Sequence, residues 1–154
     1  MSDARWFEIN AAVTAAVRHF AGACTIFEKI PATVTQEDRY LVEMAFMHAM
    51  LAGQTSLDAA LIRILDLTGE EAPTGARWHA DLITRAAHPV GERPAILLGD
   101  AARAADETRR FRSISADAYD AFDHTQATKA VASASLLVTL LLSEIVRFRE
   151  ATDP

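Results

Sequence analysis

The segment from Arg110 to Tyr119, RFRSISADAY, concentrates the residues of this chain best suited to chemistry on an anion. Arg112 stands five positions before Asp117 and seven before Tyr119, with Arg103, Arg109 and Arg110 just upstream. A guanidinium is planar, forked and always charged, so it grips phosphate oxygens in pairs where lysine offers only a point charge. Such a cluster can hold a phosphate ester. The competing reading is a solvated helix face on which Asp106 and Glu107 neutralise the arginines. For Ser115 and Asp117 the competing reading is helix capping at a break after Arg112, because short polar side chains bond readily to nearby backbone.

Other chemistries find less support. A di-iron bundle requires Glu-x-x-His pairs and a zinc protease requires His-Glu-x-x-His, and neither spacing occurs. His19, His48, His79, His88 and His124 are scattered singly, so each reads as a lone core or surface histidine. A metal-dependent helical bundle would have to gather its ligands from separate helices, and it stays open as an alternative. There is no Gly-x-Ser-x-Gly elbow for a serine nucleophile. The single cysteine, Cys24, excludes an internal disulfide and a multi-cysteine zinc site, and reads as a buried, inert thiol. Asp120 and His124 would share a side if their segment is helical, as an ordinary surface contact does. Met44, Met47 and Met50 read as core filler.

The elements that must position the arginines are helices. The chain has 154 residues, 51% of them hydrophobic, with 6 Gly and 5 Pro, which suits one compact domain with a real core spanning 1–154. A net charge of -6 gives no broad basic surface, so any contact with nucleic acid must be local. No charged start leads into an apolar run and cleavage site, so a cytoplasmic protein is expected. The most apolar stretch, LLVTLLLSEIV from Leu136, falls short of the ~20 residues that cross a bilayer and reads as a buried helix.

Helical spacing of apolar residues predicts a first helix over Asp3 to Lys29, ended by Pro31. Thr35 followed by Asp38 resembles a capping box for a long second helix, with Leu41, Met44, Ala45, His48, Leu51, Leu57, Leu61, Ile64 and Leu65 in its periodic set and a possible bend near Gly53. A short helix follows over about Ala76 to Ala87. Pro94 is placed at the opening of a fourth helix, which SISAD interrupts after Arg112. Asp123 and Gln126 resemble a cap for the last helix, with Val131, Ser135, Val138, Leu142, Ile145 and Val146 among its inward positions. The expected fold class is all-α, an antiparallel bundle of about five helices.

Several segments in this order resemble the HepT-like branch of the HEPN proteins. They are SLDAALIRIL from Ser56, the EEAP turn, ARWHADLI from Ala76, ERPAILLGDAARAADETRRFR from Glu92, and the arginine–tyrosine spacing that follows. The resemblance covers roughly residues 35 to 150. The family hallmark is Arg, four variable residues, His, one residue, Tyr. Here RRFR ends at Arg112 and Tyr119 stands at the matching tyrosine, but Asp117 occupies the histidine position and Ser113 replaces the usual Asn or His after the arginine.

The resemblance implies an all-α ribonuclease toxin of a toxin-antitoxin system, homodimeric, acting on RNA with no metal and no cofactor. The RNA 2′-hydroxyl attacks the adjacent phosphate, so a site must stabilise extra negative charge and move protons. Arg112 matches the first role, with Arg109 and Arg110 as further phosphate-binding candidates and Ser113 as an orienting one. Histidine serves the second because it exchanges protons near neutrality, whereas an exposed carboxylate is already ionised and repels phosphate. Losing such a group typically costs ~10² to 10⁴ in rate. Weak or absent ribonuclease activity is therefore expected, with a non-catalytic pseudo-toxin as the alternative. The resemblance also implies an MNT-type nucleotidyltransferase as antitoxin partner, with Tyr119 as AMP acceptor. No membrane partner is implied.

Overall fold

The computed structural model describes residues 3–31, 35–117 and 122–152, the last four residues before 118 by their backbone alone. Five helices carry the fold: α1 Asp3–Lys29, α2 Gln36–Leu67, α3 Trp78–Ala86, α4 Gly99–Asp117 and α5 His124–Thr152. Contacts fix their directions. Arg5 reaches Asp66 at 2.9 Å and Arg63 reaches Glu8 at 2.7 Å, so α1 and α2 run antiparallel. Asp3 meets Arg149 at one end of the α1–α5 pair, and the Cys24 thiol faces the Val131 carbonyl near the other. The Leu98 amide donates to Glu144, which sets α4 antiparallel to α5. The short α3 lies against α2 and α4.

Local chemistry explains most boundaries. Thr35 caps α2 by accepting from the Asp38 amide at 3.1 Å, and Asp123 caps α5 by accepting from Thr125 and Gln126 at 2.9 and 3.1 Å. The fourth helix departs from expectation at both ends. Pro94 does not open it: residues 94–98 form a turn whose Ile96 and Leu97 amides both donate to the Ala86 carbonyl, burying those two side chains, and α4 begins at Gly99. SISAD does not interrupt it either. The Ser113 hydroxyl bonds back to the Arg109 carbonyl one turn earlier, 3.3 Å away, so its local bond is made inside the helix and α4 continues to Asp117.

Two inward faces are also rotated from the expected ones. On the first half of α2 the buried residues are Phe46, Met50 and Gly53, while Leu41, Ala45, His48 and Leu51 face outward. On α5 the buried row is Ala127, Ala130, Ala134, Leu137, Leu141, Ile145 and Phe148, leaving Ser135, Leu142 and Val146 exposed. Alanines face inward at the start of α5 because aromatic rings already fill that end of the bundle. Phe46 sits 5.3, 5.7 and 6.0 Å from the centroids of Phe27, Phe111 and Phe122. By length and composition alone α5 would be apolar enough to cross a bilayer, but its buried row packs on α1 and α4.

Gly53 marks a close approach of α2 to Phe20 of α1. A Cβ there would lie 2.7 Å from the fully buried ring of Phe20. Gly53→Ala should therefore destabilise the fold: overpacking costs about 1–3 kcal/mol, more than the ~0.5–1 kcal/mol that alanine gains over glycine in a helix. Denaturant unfolding should show a lowered midpoint with an unchanged slope. A midpoint at or above that of the parent would mean the Phe20 ring gives way freely.

Candidate functional site

Two pairs of polar residues, each one helical turn apart, face one another across the core side of the bundle. Gln54 and Asp58 project from α2, and Thr108 and Arg112 from α4. His79, the second residue of α3, bridges them. Gln54, Asp58 and Thr108 are buried among Leu57, Leu61 and Ala105, so each polar atom must find a partner inside the protein.

The partners form one chain of hydrogen bonds. Arg112 Nη1 lies 2.8 Å from His79 Nε2 and 3.4 Å from Nδ1, so the guanidinium sits over the imidazole rather than in line with one ring nitrogen. A carboxylate accepts, so His79 Nδ1–H donates to Asp58 Oδ2 at 2.9 Å. The second carboxylate oxygen accepts from Gln54 Nε2 at 3.0 Å, and Gln54 Oε1 accepts from the Thr108 hydroxyl at 2.7 Å. The neighbouring Trp78 ring, its centroid 3.5 Å from that of His79, holds the ring plane from one side.

The Asp58 carboxyl is held above the ordinary carboxylate range by burial, opposed by hydrogen bonds from His79 and Gln54 and by the charges of His79 and Arg112. A carboxyl shifted upward by folding contributes stability that is full below its unfolded value and is lost as pH rises through its folded value. The ionised group thus costs stability at neutral pH. A carboxamide in its place could be fully bonded, because Gln54 can turn over while Thr108 donates instead to the Ala105 carbonyl, 3.0 Å away. Asp58→Asn should therefore melt at a higher temperature than the parent at pH 8, by about 2–4 °C per kcal/mol recovered, with the gap narrowing toward pH 5. A lower melting point at pH 8 would show that the ionised carboxylate stabilises the fold.

The residues singled out in the sequence take different positions around this chain. Arg112 is half-buried, and its Nε is buried with no acceptor among the described residues. Arg109 and Arg110 both pair with Asp106, at 2.8 and 3.1 Å, and exposed Ser113 spends its hydroxyl on the Arg109 carbonyl. Asp117 is the last residue of α4; its side chain, Ser115's side chain, Tyr119 and Asp120 lie outside the described residues. Among the described residues no three His, Cys, Asp or Glu side chains gather as metal ligands. Cys24 is half-buried, and its thiol is pushed up chiefly by burial and then by Glu28.

Gln54, Asp58, His79 and Thr108 were not legible as a site, because they come from three helices. One signal was present. Asp58 and Gln54 are polar residues at helical spacing inside the apolar row of α2, which is how a buried polar pair looks in a sequence. His79 is the correction to the reading of the histidines as solitary.

The chain has no match among curated proteins and none among solved structures. The family model of the HepT-like proteins matches residues 45–152, a span that opens within α2 and takes in Gln54, Asp58, His79, Thr108 and Arg112. With most of its length and all five of these residues inside that match, and with an all-α five-helix bundle around them, the chain belongs to the HepT-like, HEPN-type protein family.

Proposed function

We propose that the protein is a toxin-type member of this family that cleaves RNA without a metal, with Arg112 as the group that holds the scissile phosphate. The observation that supports this reading is the state of the Arg112 charge. Arg109 and Arg110 are neutralised directly by Asp106, whereas no carboxylate among the described residues bonds to Arg112, which lies over the His79 ring. A guanidinium so placed gains more from a phosphate than from its resting partner, because ion-to-ion hydrogen bonds are roughly twice as strong as those to neutral acceptors.

Two-fold association that brings both Arg112 residues to one cleft goes with this reading, and so does an RNA-like anion entering between them. Purified protein incubated with RNA in excess chelator should produce fragments ending in 2′,3′-cyclic phosphate and 5′-hydroxyl. Intact RNA at every protein concentration would favour the second reading, which Asp117 at the motif's histidine position supports: a pseudo-toxin acting by binding. Its partner would be a nucleotidyltransferase that modifies Tyr119. A lone monomer in light scattering at micromolar concentration would count against the shared cleft.

A further inference from the structure

We propose that His79 is the proton-transfer group of this chain, that Asp58 positions it, and that Arg112 covers its free nitrogen until a phosphate draws the guanidinium away. The inference rests on the RNA-cleaving reading above, and it supplies the group that Asp117 cannot. Three features of the geometry carry it. Asp58 takes the Nδ1 proton, so in the neutral ring the lone pair lies on Nε2, and the Arg112 guanidinium lies over that ring, 2.8 Å from Nε2 and 3.4 Å from Nδ1. The opposite nitrogen is bonded to a carboxylate that is 5% exposed, so a proton gained at Nε2 creates an imidazolium with its counter-charge already in place. The carboxylate is itself held by Gln54 and Thr108, whose only evident use is to keep its orientation.

The imidazole is still reachable, with about a quarter of its side chain exposed at 24%. Among the described residues the charged groups facing it are Asp58 from α2 and Arg112 from α4. In the resting protein the Arg112 guanidinium lies over the ring and masks the base at Nε2. An RNA phosphate binding the guanidinium releases that nitrogen beside the nucleotide being held. His79 Nε2 then takes the proton of the 2′-hydroxyl as its oxygen forms a bond to phosphorus. The bond from phosphorus to the 5′-oxygen breaks, and the imidazolium returns its proton to that departing oxygen, leaving a 2′,3′-cyclic phosphate, a 5′-hydroxyl and the starting neutral ring. No oxidant, metal or further reactant enters the balance.

Asp58 touches neither the phosphate nor the reacting oxygens, so it is a positioning residue, and the two roles give different readouts. His79→Ala should lower chelator-resistant cleavage by about 10² to 10⁴, with partial recovery on adding free imidazole. His79→Gln, which keeps more of the packing against Trp78, should be as inactive at an unchanged fold by circular dichroism. Asp58→Asn should move the acid limb of the rate–pH profile toward lower pH, because the imidazolium loses its counter-charge. Nitrogen NMR of the unaltered protein should show Nδ1 protonated and Nε2 free, and the Nε2 signal should move when an uncleavable 2′-O-methyl oligonucleotide is added. Cleavage undiminished in a folded His79 variant, a profile unmoved by Asp58→Asn, or a proton found on Nε2 would each overturn the inference while leaving the ribonuclease reading in place. RNA left intact by the unaltered protein would overturn the ribonuclease reading, and this one with it.

Discussion

Arg93→Ala should lower the melting temperature by about 6–20 °C, the largest effect on stability expected from the loss of any single polar side chain in this fold. Arg93 is buried in the connection between α3 and α4, and its guanidinium is fully used. Nε and Nη2 grip the two oxygens of Glu70 at 2.6 and 2.8 Å, while Nη1 and Nη2 reach the carbonyls of His88, Pro94 and Arg85. Removing the side chain strands a carboxylate that is 14% exposed together with three carbonyls. Breaking a buried pair from one side costs about 3–5 kcal/mol, and each kcal/mol moves the midpoint of a domain this size by about 2–4 °C. A loss under ~2 °C in a thermal melt would show that water reaches these groups and that the pair is worth no more than a surface one.

The same clamp sets an acid limit. The Arg93 hydrogen bonds hold the Glu70 carboxyl below its ordinary value near 4.5, against the opposing effect of burial and with help from the Thr68 hydroxyl and the charges of Arg93 and Arg85. A carboxyl depressed by folding contributes stability that is full above its unfolded value and is lost as pH falls through its folded value. The melting temperature of the parent should therefore drop below pH 4.5, and that part of the drop should be missing in Glu70→Gln.

The largest effect on activity is expected at Arg112. Arg112→Ala should reduce the proposed cleavage by about 10²- to 10³-fold, the typical loss when one donor aimed at a developing oxyanion is removed. Arg112→Lys should recover only part, since a point charge replaces a fork. The contrast with Arg93 is informative. Arg93 is saturated by partners and Arg112 is not: among the described residues its Nε is buried without an acceptor, and its contacts are the two ring nitrogens of His79. Arg112→Ala should thus lower the melting temperature far less than Arg93→Ala does, through the loss of its charge near buried Asp58. A variant that keeps full cleavage, or one that loses cleavage only because it unfolds, would remove Arg112 from the phosphate-holding role.

What the sequence determined by itself was set by local chemistry and by periodicity. The span of α1, the Thr35 and Asp123 caps and the bundle class all follow from helical periodicity and from residues within a turn of one another. Tertiary structure decided the rest. Which face of α5 turns inward depended on Phe27, Phe46, Phe111 and Phe122 filling the space opposite its alanines, and periodicity alone admits either choice on a helix so rich in apolar residues. Where α4 begins depended on the Ala86 carbonyl, which captures two amides that would otherwise start a helix after Pro94. The site depended on packing most of all: Asp58 and His79 are 21 residues apart, and His79 and Arg112 are 33 apart. No spacing rule joins them, because buried polar groups from three helices choose partners by the geometry of the closed bundle, where water is no longer available to satisfy them.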